Sequence, residues 1–260
     1  MRRIALFSDI HGNLPALDAV LDSIAAAGVR ELFCLGDLVG YGPDPEGVID
    51  RIRARRILTV RGNYDEGIGM RRGECGCYYA TEQAKRDGET SYAFTSRAVG
   101  DEDAAWLASL PPALRFEESG VRVLLAHGSP RKINEYLLPD RADKLLARLA
   151  AAADADVVCV GHVHLPYHRL VPVENGTVHY VSAGSAGKPK DGDPRAGWVE
   201  LLIGDADEVL PASETSGAAG ATDTFVGTVV HRVEYDVDAV ANAMIRAGLP
   251  ATLAAALKSA

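Results

Sequence analysis

Four of the seven histidines in this chain end apolar, strand-like runs, in the company of acids or an amide. They are His11, His127, His162 and His164; their companions are Asp9, Asp37 and Asn63. Asp9-Ile10-His11 closes a first run, and side chains two apart on an extended chain point the same way, so both can converge on one ion. Asp37 follows Gly36 after a second run, Asn63 follows Gly62 after a third, and His127-Gly128 ends a fourth. Gly161-His162-Val163-His164 ends a fifth, where the same spacing lets two imidazoles face one site. Open α/β sheets place their ligand sites at such strand ends. Carboxylate, amide oxygen and imidazole without thiolate suit Mn²⁺, Fe or Zn²⁺ better than Ca²⁺, and leave Mg²⁺, Ni²⁺ and Co²⁺ compatible.

Each piece has a plain structural reading. Gly36-Asp37 and Gly62-Asn63 are ordinary turn dipeptides, and a lone histidine is more often a hydrogen-bonded surface residue. The joint pattern is harder to dismiss. It places seven candidate ligands, in order, at the ends of strands that read as successive members of one sheet.

The ordered blocks Asp9-Ile10-His11, Gly36-Asp37, Gly62-Asn63-Tyr64-Asp65, His127-Gly128 and Gly161-His162-Val163-His164 resemble the calcineurin-like metallophosphoesterase superfamily. Asp37 to Pro43 and Gly184 to Pro189 are similar to its small stand-alone bacterial and archaeal members. The resemblance implies an α/β fold, a four-layer αββα sandwich with two central mixed β-sheets flanked by helices. It also implies two divalent ions. Asp9, His11, Asp37 and His164 would hold the first, and Asp37, Asn63, His127 and His162 the second, with Asp37 bridging. Two such ions, about 3.5–4 Å apart, clamp a phosphoryl group while a bridging hydroxide attacks phosphorus in line. The catalytic set then expected is Asp37, Asn63, Tyr64 and Asp65.

One position departs from the family pattern. Many members carry a histidine after the asparagine, where it contacts phosphate and can protonate the leaving group, oriented by the following acid. Here Tyr64 stands before Asp65. A phenol with a pKa of about 10 is a neutral donor at pH 7, and general acid catalysis is worth about 10²–10⁴-fold. Tyr64 either packs over the site or contacts phosphate. His168 is a conceivable substitute acid and reads more readily as a surface strand histidine. Arg131 and Lys132, or Lys188, Lys190 and Arg195, either engage phosphate or belong to solvated loops. Tyr41 either stacks on a substrate ring or fills a gap.

These residues need a scaffold. Residues 3–10 read as a strand and 13–27 as a helix, with Asn13 as N-cap, Pro15 in the first turn and Leu17, Val20, Leu21 and Ile24 on one face. A strand at 32–35, a helix at 45–55 and a strand at 57–60 complete a β-α-β-α-β alternation, which implies a parallel sheet. From 64 to 100 the pattern weakens, with a helix expected at about 78–86. Further expected elements are helices at 101–110 and 141–152 and strands at 121–126, 157–160, 178–182, 198–203 and 228–235. The Ala-rich tail, 237–258, reads as two helices broken at Gly248-Leu249-Pro250. Residues 1–204 thus form one catalytic domain. Residues 205–224, rich in small and polar residues, read as a flexible loop. Residues 225–260 form a last strand and a helical tail that packs on the same domain, covers a sheet edge, or mediates a homodimer.

Composition narrows the function classes. The chain has 260 residues, is 47% hydrophobic and 24% charged, and carries a net charge of −9. That is ordinary for a globular protein, and it argues against stable nucleic-acid binding, which depends on neutralising phosphates. No apolar run approaches the roughly 20 residues of a membrane helix, and the apolar start is too short for a signal peptide. A cytoplasmic location follows as the default. Cys34 and Cys159 read as buried small hydrophobes. Cys75-Gly76-Cys77 lacks the second pair that a structural zinc site needs. The function expected is hydrolysis of a small phosphoester, a phosphodiester before a phosphomonoester or phosphoprotein. A scaffold that binds metal without catalysis is the competing class.

Overall fold

The computed structural model describes residues 1–205, 216–219 and 224–259. The chain begins β1 (Arg2–Phe7), α1 (Leu14–Ala26), β2 (Glu31–Cys34), α2 (Pro45–Ala54), β3 (Leu58–Thr59), α3 (Asn63–Gly69), α4 (Glu82–Ala98) and α5 (Asp101–Ser109). It continues β4 (Ala113–Glu118), β5 (Val121–Ala126), α6 (Asp143–Ala152), β6 (Val157–Val160), β7 (Pro166–Val173) and β8 (Gly176–Ala183). The last described elements are β9 (Ala196–Asp205), β10 (Ser216–Ala219), β11 (Thr224–Val233), α7 (Val237–Arg246) and α8 (Ala251–Ser259).

Two mixed sheets form, six strands in the order β10-β11-β9-β1-β2-β3 and five in the order β4-β5-β6-β8-β7. β1, β2 and β3 are parallel in the first sheet, and β5, β6 and β8 in the second. Strand alternation explains the layers. Ile4 and Leu6 of β1 face a core between the sheets, with Leu125, Val157, Cys159, Val181 and Leu201. Ala5 and Phe7 face the opposite way, against Leu17, Val20 and Ile24 of α1 and Ile49 of α2. Val158, Val160 and Leu124 pack on Leu146 and Leu149 of α6. Helix, sheet, sheet and helix are therefore stacked, as the resemblance implied. Each buried large aliphatic or aromatic side chain contributes about 1.5–3 kcal/mol.

The helix starts follow their sequence signals. Asn13 Oδ1 accepts from the Ala16 amide at 3.2 Å, and Asp44 Oδ1 from the Gly47 amide at 2.9 Å. Asn13 Nδ2 also donates to the Gly187 carbonyl at 2.9 Å, tying α1 to the loop after β8.

Several expectations change. The candidate ligands come from both sheets, not from successive strands of one. α4 begins later than expected and continues to Ala98, because its buried face is polar. Asp87 there accepts from Gln83 and Thr252, and Ser91 Oγ accepts from the Tyr41 amide at 2.7 Å. An apolar stripe is thus absent where a buried face is present. α3 was not expected either, because its seven residues include Gly67 and Gly69. A Cβ at Gly69 would lie 2.6 Å from the Ala108 amide nitrogen of α5, so close helix approach requires glycine. β4 and β7 are edge strands; Pro166 and Pro172 mask β7, and an edge tolerates them. Within the range read as a loop, Ser216–Ala219 form β10 on β11; residues 206–215 and 220–223 lie outside the described residues. The tail helices bury Val240, Met244, Leu253 and Leu257 in a cluster against which Tyr41 and Phe94 pack.

Candidate metal centre

The loops that leave β1, β2, β3, β5 and β6 bring all seven predicted ligands to one end of the two sheets. Asp9, His11 and His164 form one group of ligand atoms within 4.8 Å of one another, and Asp37, His127 and His162 form a second. The two groups meet at Asp37 Oδ2, which is 3.7 Å from His11 Nε2 and 3.4 Å from His127 Nε2. Asn63 Oδ1 lies 3.0 Å from His127 Nε2, on the second group's side. His162 and His164 are two residues apart and contribute to the two different groups of one centre.

The convergence does not come from strand alternation. Asp9, His11, Asp37, His162 and His164 all have φ between 52° and 66°, the left-handed region. Such backbone costs about 1–3 kcal/mol per non-glycine residue and persists only where the surroundings fix it. The fixing bonds are present. The Asp9 amide donates to the Gly36 carbonyl at 2.9 Å, and the His11 amide to the Asp37 carbonyl at 3.0 Å. The Gly187 amide donates to the Asp9 carbonyl at 3.1 Å, and Ser185 Oγ to the same carbonyl at 2.7 Å.

Outer partners aim each ligand. His11 Nδ1 meets the Val39 carbonyl at 3.0 Å, His127 Nδ1 meets that of Leu35 at 2.7 Å, and His164 Nδ1 meets that of Lys188. A ring that donates from Nδ1 presents a bare Nε2, the form a metal needs. Asp9 Oδ2 accepts from the His162 amide at 2.9 Å, and Asp37 Oδ1 from the Tyr64 amide at 2.8 Å, so each carboxylate keeps its other oxygen for the centre. Asn63 Nδ2 donates to the Cys75 carbonyl at 3.0 Å and to Cys77 Sγ at 3.3 Å, which turns Oδ1 inward. Cys75 and Cys77 are joined as a disulfide.

Two buried atoms test whether ions fit. Asp9 Oδ1, 3.2 Å from His164 Nε2, and His162 Nε2 make no hydrogen bond, and burying polar atoms without one is costly. Both point where an ion would sit, and the mixed oxygen and imidazole donors match a divalent transition metal. Electrostatics agree. Burial alone would push Asp9 up, but the imidazoles of His164 and His11 hold its carboxyl well below the usual range. Burial likewise opposes the charge on Asp37, and His127 outweighs it. Burial pushes His162 down to about 4 and His164 to about 3, so both are neutral ligands at pH 7. Burial would also lower His127, but the Asp37 carboxylate raises it to about 10. A bound cation would take the place of that proton.

Asp65 offers no atom to either ligand group. Its Oδ2 accepts from the amides of Asp37 and Gly62, and its Oδ1 from that of Leu38, each at 2.9 Å. It locks the loops that carry Asp37 and Asn63. Burial, then the Asp37 charge, push it up to about 6.

Tyr64 is fully buried, and its ring lies edge-on to His11, with centroids 5.5 Å apart. The ring also packs on Tyr41 and Tyr92, and the hydroxyl has no hydrogen-bond partner. A Cβ at Gly40 would collide with it, which explains glycine there, at φ 92°. This geometry gives Tyr64 a packing place behind His11 and no opening toward a phosphoryl group. Tyr64→Phe is therefore expected to keep its metal content and to hold turnover within about twofold, because the lost hydroxyl bonds nothing. Elemental analysis with steady-state kinetics checks this, and a tenfold loss of turnover would restore Tyr64 as a substrate contact.

The other candidates separate clearly. The His168 ring nitrogens face His179 and Thr228. Arg131 pairs with Glu135, and Arg195 with Asp193. Lys188 Nζ sits 4.8 Å from the Tyr41 ring centre, and burial pushes it down to about 7. Tyr136, which no motif flags, lies with its ring centre 4.1 Å from that of His162. Nothing in the sequence marks it except its place nine residues after His127.

Residues 1–205 match the family described as the calcineurin-like phosphoesterase superfamily domain. An uncharacterised protein of Methanocaldococcus jannaschii is 31% identical over 208 residues, covering 75% of this chain and 80% of that one. A protein of Escherichia coli named phosphodiesterase YfcE is 26% identical over 204 residues, covering 75% of this chain and 84% of its own length. The crystal structure of a metallophosphoesterase from Sphaerobacter thermophilus superposes with a TM-score of 0.70 at 28% identity, covering 99% of this chain and 98% of that one.

Proposed function

The chain belongs to the calcineurin-like phosphoesterase superfamily, and from that premise we propose that it is a dinuclear, metal-dependent hydrolase of phosphate esters that prefers phosphodiesters. The observation that carries the reading is the pair of ligand groups, with Asp37 Oδ2 of the second only 3.7 Å from His11 Nε2 of the first, and two buried inward-facing atoms, Asp9 Oδ1 and His162 Nε2, without a hydrogen bond. Two divalent ions held there would supply an activated water and positive charge for the phosphoryl oxygens. Mn²⁺, Fe and Zn²⁺ suit the donors best.

The chain's own residues supply position and charge balance. Asp9 and Asp37 would bring negative charge to the ions, and the imidazoles would complete the ligand set without adding charge. Asn63, anchored through Cys75 and Cys77, offers a neutral oxygen on the second side. The diester preference rests on charge. A diester carries one negative charge and a monoester up to two, while the position that often holds a histidine carries a neutral, buried Tyr64. The name of the E. coli relative points the same way.

The test is direct. Chelated protein is expected to be inert, and added Mn²⁺ to restore hydrolysis, faster on bis-p-nitrophenyl phosphate than on p-nitrophenyl phosphate. A faster monoester would reverse the preference. Full occupancy by two ions with no hydrolysis of either would favour the non-catalytic scaffold.

A further inference from the structure

Burial of Tyr64 leaves a question of chemistry. Two ions bound there would hold phosphoryl oxygens, and the rest of the substrate would meet protein groups at the open rim. The rim cations are mostly engaged elsewhere. Arg131 and Arg195 are ion-paired, and Lys188 lies on the Tyr41 ring.

Lys190 is different. Its backbone amide donates to the His164 carbonyl at 3.4 Å, so the residue is held at the edge of the first ligand group. Its side chain is exposed and forms no ion pair with any described residue. Burial of its head group nevertheless lowers the ammonium against the Asp9 and Asp37 carboxylates, and its charge in turn lowers both His162 and His164. An ammonium with no ion-pair partner among the described residues therefore stands at the His164 edge of the centre, in a chain whose net charge is −9.

Tyr136 occupies the second group's side. Its ring is tilted by 39° over that of His162, with centroids 4.1 Å apart, and it is half-buried. Burial, then the Asp37 and Asp9 charges, push its hydroxyl up, while a Tyr78 backbone group bonds the phenol oxygen and leaves its proton to donate. The loop that carries it is built, not loose. Glu135 accepts from Ser129 Oγ at 2.6 Å and pairs with Arg131, and Asn134 Nδ2 donates to the Gly76 carbonyl at 2.7 Å. Arg141 Nε donates to the Tyr136 carbonyl at 3.0 Å.

We propose that Lys190 and Tyr136 are substrate-contacting residues, which grip the phosphoryl group of a phosphoester from opposite sides of the ligand groups and take the place that the buried Tyr64 leaves empty. This rests on the phosphoesterase reading above. One ammonium matches the single charge of a diester, and the phenol adds a neutral hydrogen bond. An ammonium is a point charge with rotatable donors, so it follows the phosphoryl oxygens as they move.

The experiment uses the metal-loaded full chain with inorganic phosphate as the binding probe and bis-p-nitrophenyl phosphate as substrate. Calorimetry reads phosphate affinity without turnover. Lys190→Met is expected to weaken phosphate binding and kcat/KM about 10–100-fold, the worth of a charge-assisted hydrogen bond. Lys190→Arg keeps the charge and is expected to stay within about threefold, since a surface cation tolerates that exchange better than a bidentate one. Tyr136→Phe keeps the ring on His162, so metal content holds, and phosphate affinity falls about 3–10-fold, as for one neutral hydrogen bond. If either Lys190→Met or Tyr136→Phe retains wild-type phosphate affinity at full metal occupancy, the two-sided grip is overturned. A wild-type chain inert on every ester would overturn the underlying function, while phosphate affinity would still decide the contacts.

Discussion

Asp37→Asn is expected to bind fewer than two ions and to lose at least about 10³-fold in turnover, because the bridging charge is worth several kcal/mol in the transition state. The geometry makes Asp37 singular. Its Oδ2 is the atom that stands between His11 and His127, and so between the two ligand groups. Its Oδ1 is already bound to the Tyr64 amide at 2.8 Å, so the side chain cannot rotate to offer a substitute. The asparagine retains an oxygen for that amide, and the fold should survive. It presents an NH₂ to the centre instead of a carboxylate oxygen. The histidine opposite responds as well. The Asp37 carboxylate is the largest influence that raises His127 against burial, so the amide variant lowers the proton affinity of His127. Elemental analysis beside hydrolysis of bis-p-nitrophenyl phosphate reads both effects. Wild-type turnover at two ions per chain would remove Asp37 from the bridging role and with it the dinuclear reading.

Much of this site was legible in the sequence because strands announce their own ends. Apolar runs stopping at Phe7, Cys34, Ala126 and Val160 place Asp9, Asp37, His127 and His162 at one edge, whichever sheet each run joins. What spacing could not supply was the local backbone. Asp9 and His11 looked like same-face neighbours on a strand, yet both adopt positive φ, imposed by amides and carbonyls of distant loops. The same limit hid Tyr136, whose place over His162 depends on a loop clamped to Gly76. Tyr64 looked like a substituted catalytic group because a residue name carries chemistry but not direction; its burial shows only in three dimensions. α4 failed for a related reason, since Asp87, Ser91 and Thr95 are buried by polar partners rather than by apolar periodicity. β4 and β7, at sheet edges and beside prolines, carry weak patterns by nature.

Asp65 marks where a ligand site becomes a folding constraint, and Asp65→Asn is expected to destabilise the protein even with no metal present. The carboxylate is fully buried and accepts three backbone amides. Asparagine supplies one acceptor oxygen. Its NH₂ must then face the amides of Asp37 and Gly62, or else that of Leu38. Each buried donor left unpaired costs about 1–3 kcal/mol, so the loss is about 1–6 kcal/mol, a large share of a typical 5–15 kcal/mol. For a chain of this size that lowers the melting temperature by roughly 2–20 °C. No relaxation is available nearby, because a Cβ at Gly62 would already collide with Asp37. The loops that present Asp37 and Asn63 loosen together, so ion binding weakens although Asp65 belongs to neither ligand group. Melting of chelated protein separates the two aspartates. Asp65→Asn should melt below both wild type and Asp37→Asn, since only Asp65 bonds three amides. Equal melting of chelated Asp65→Asn and wild type would mean that the loops are held by other bonds, and that Asp65 acts nearer the chemistry than its hydrogen bonds imply.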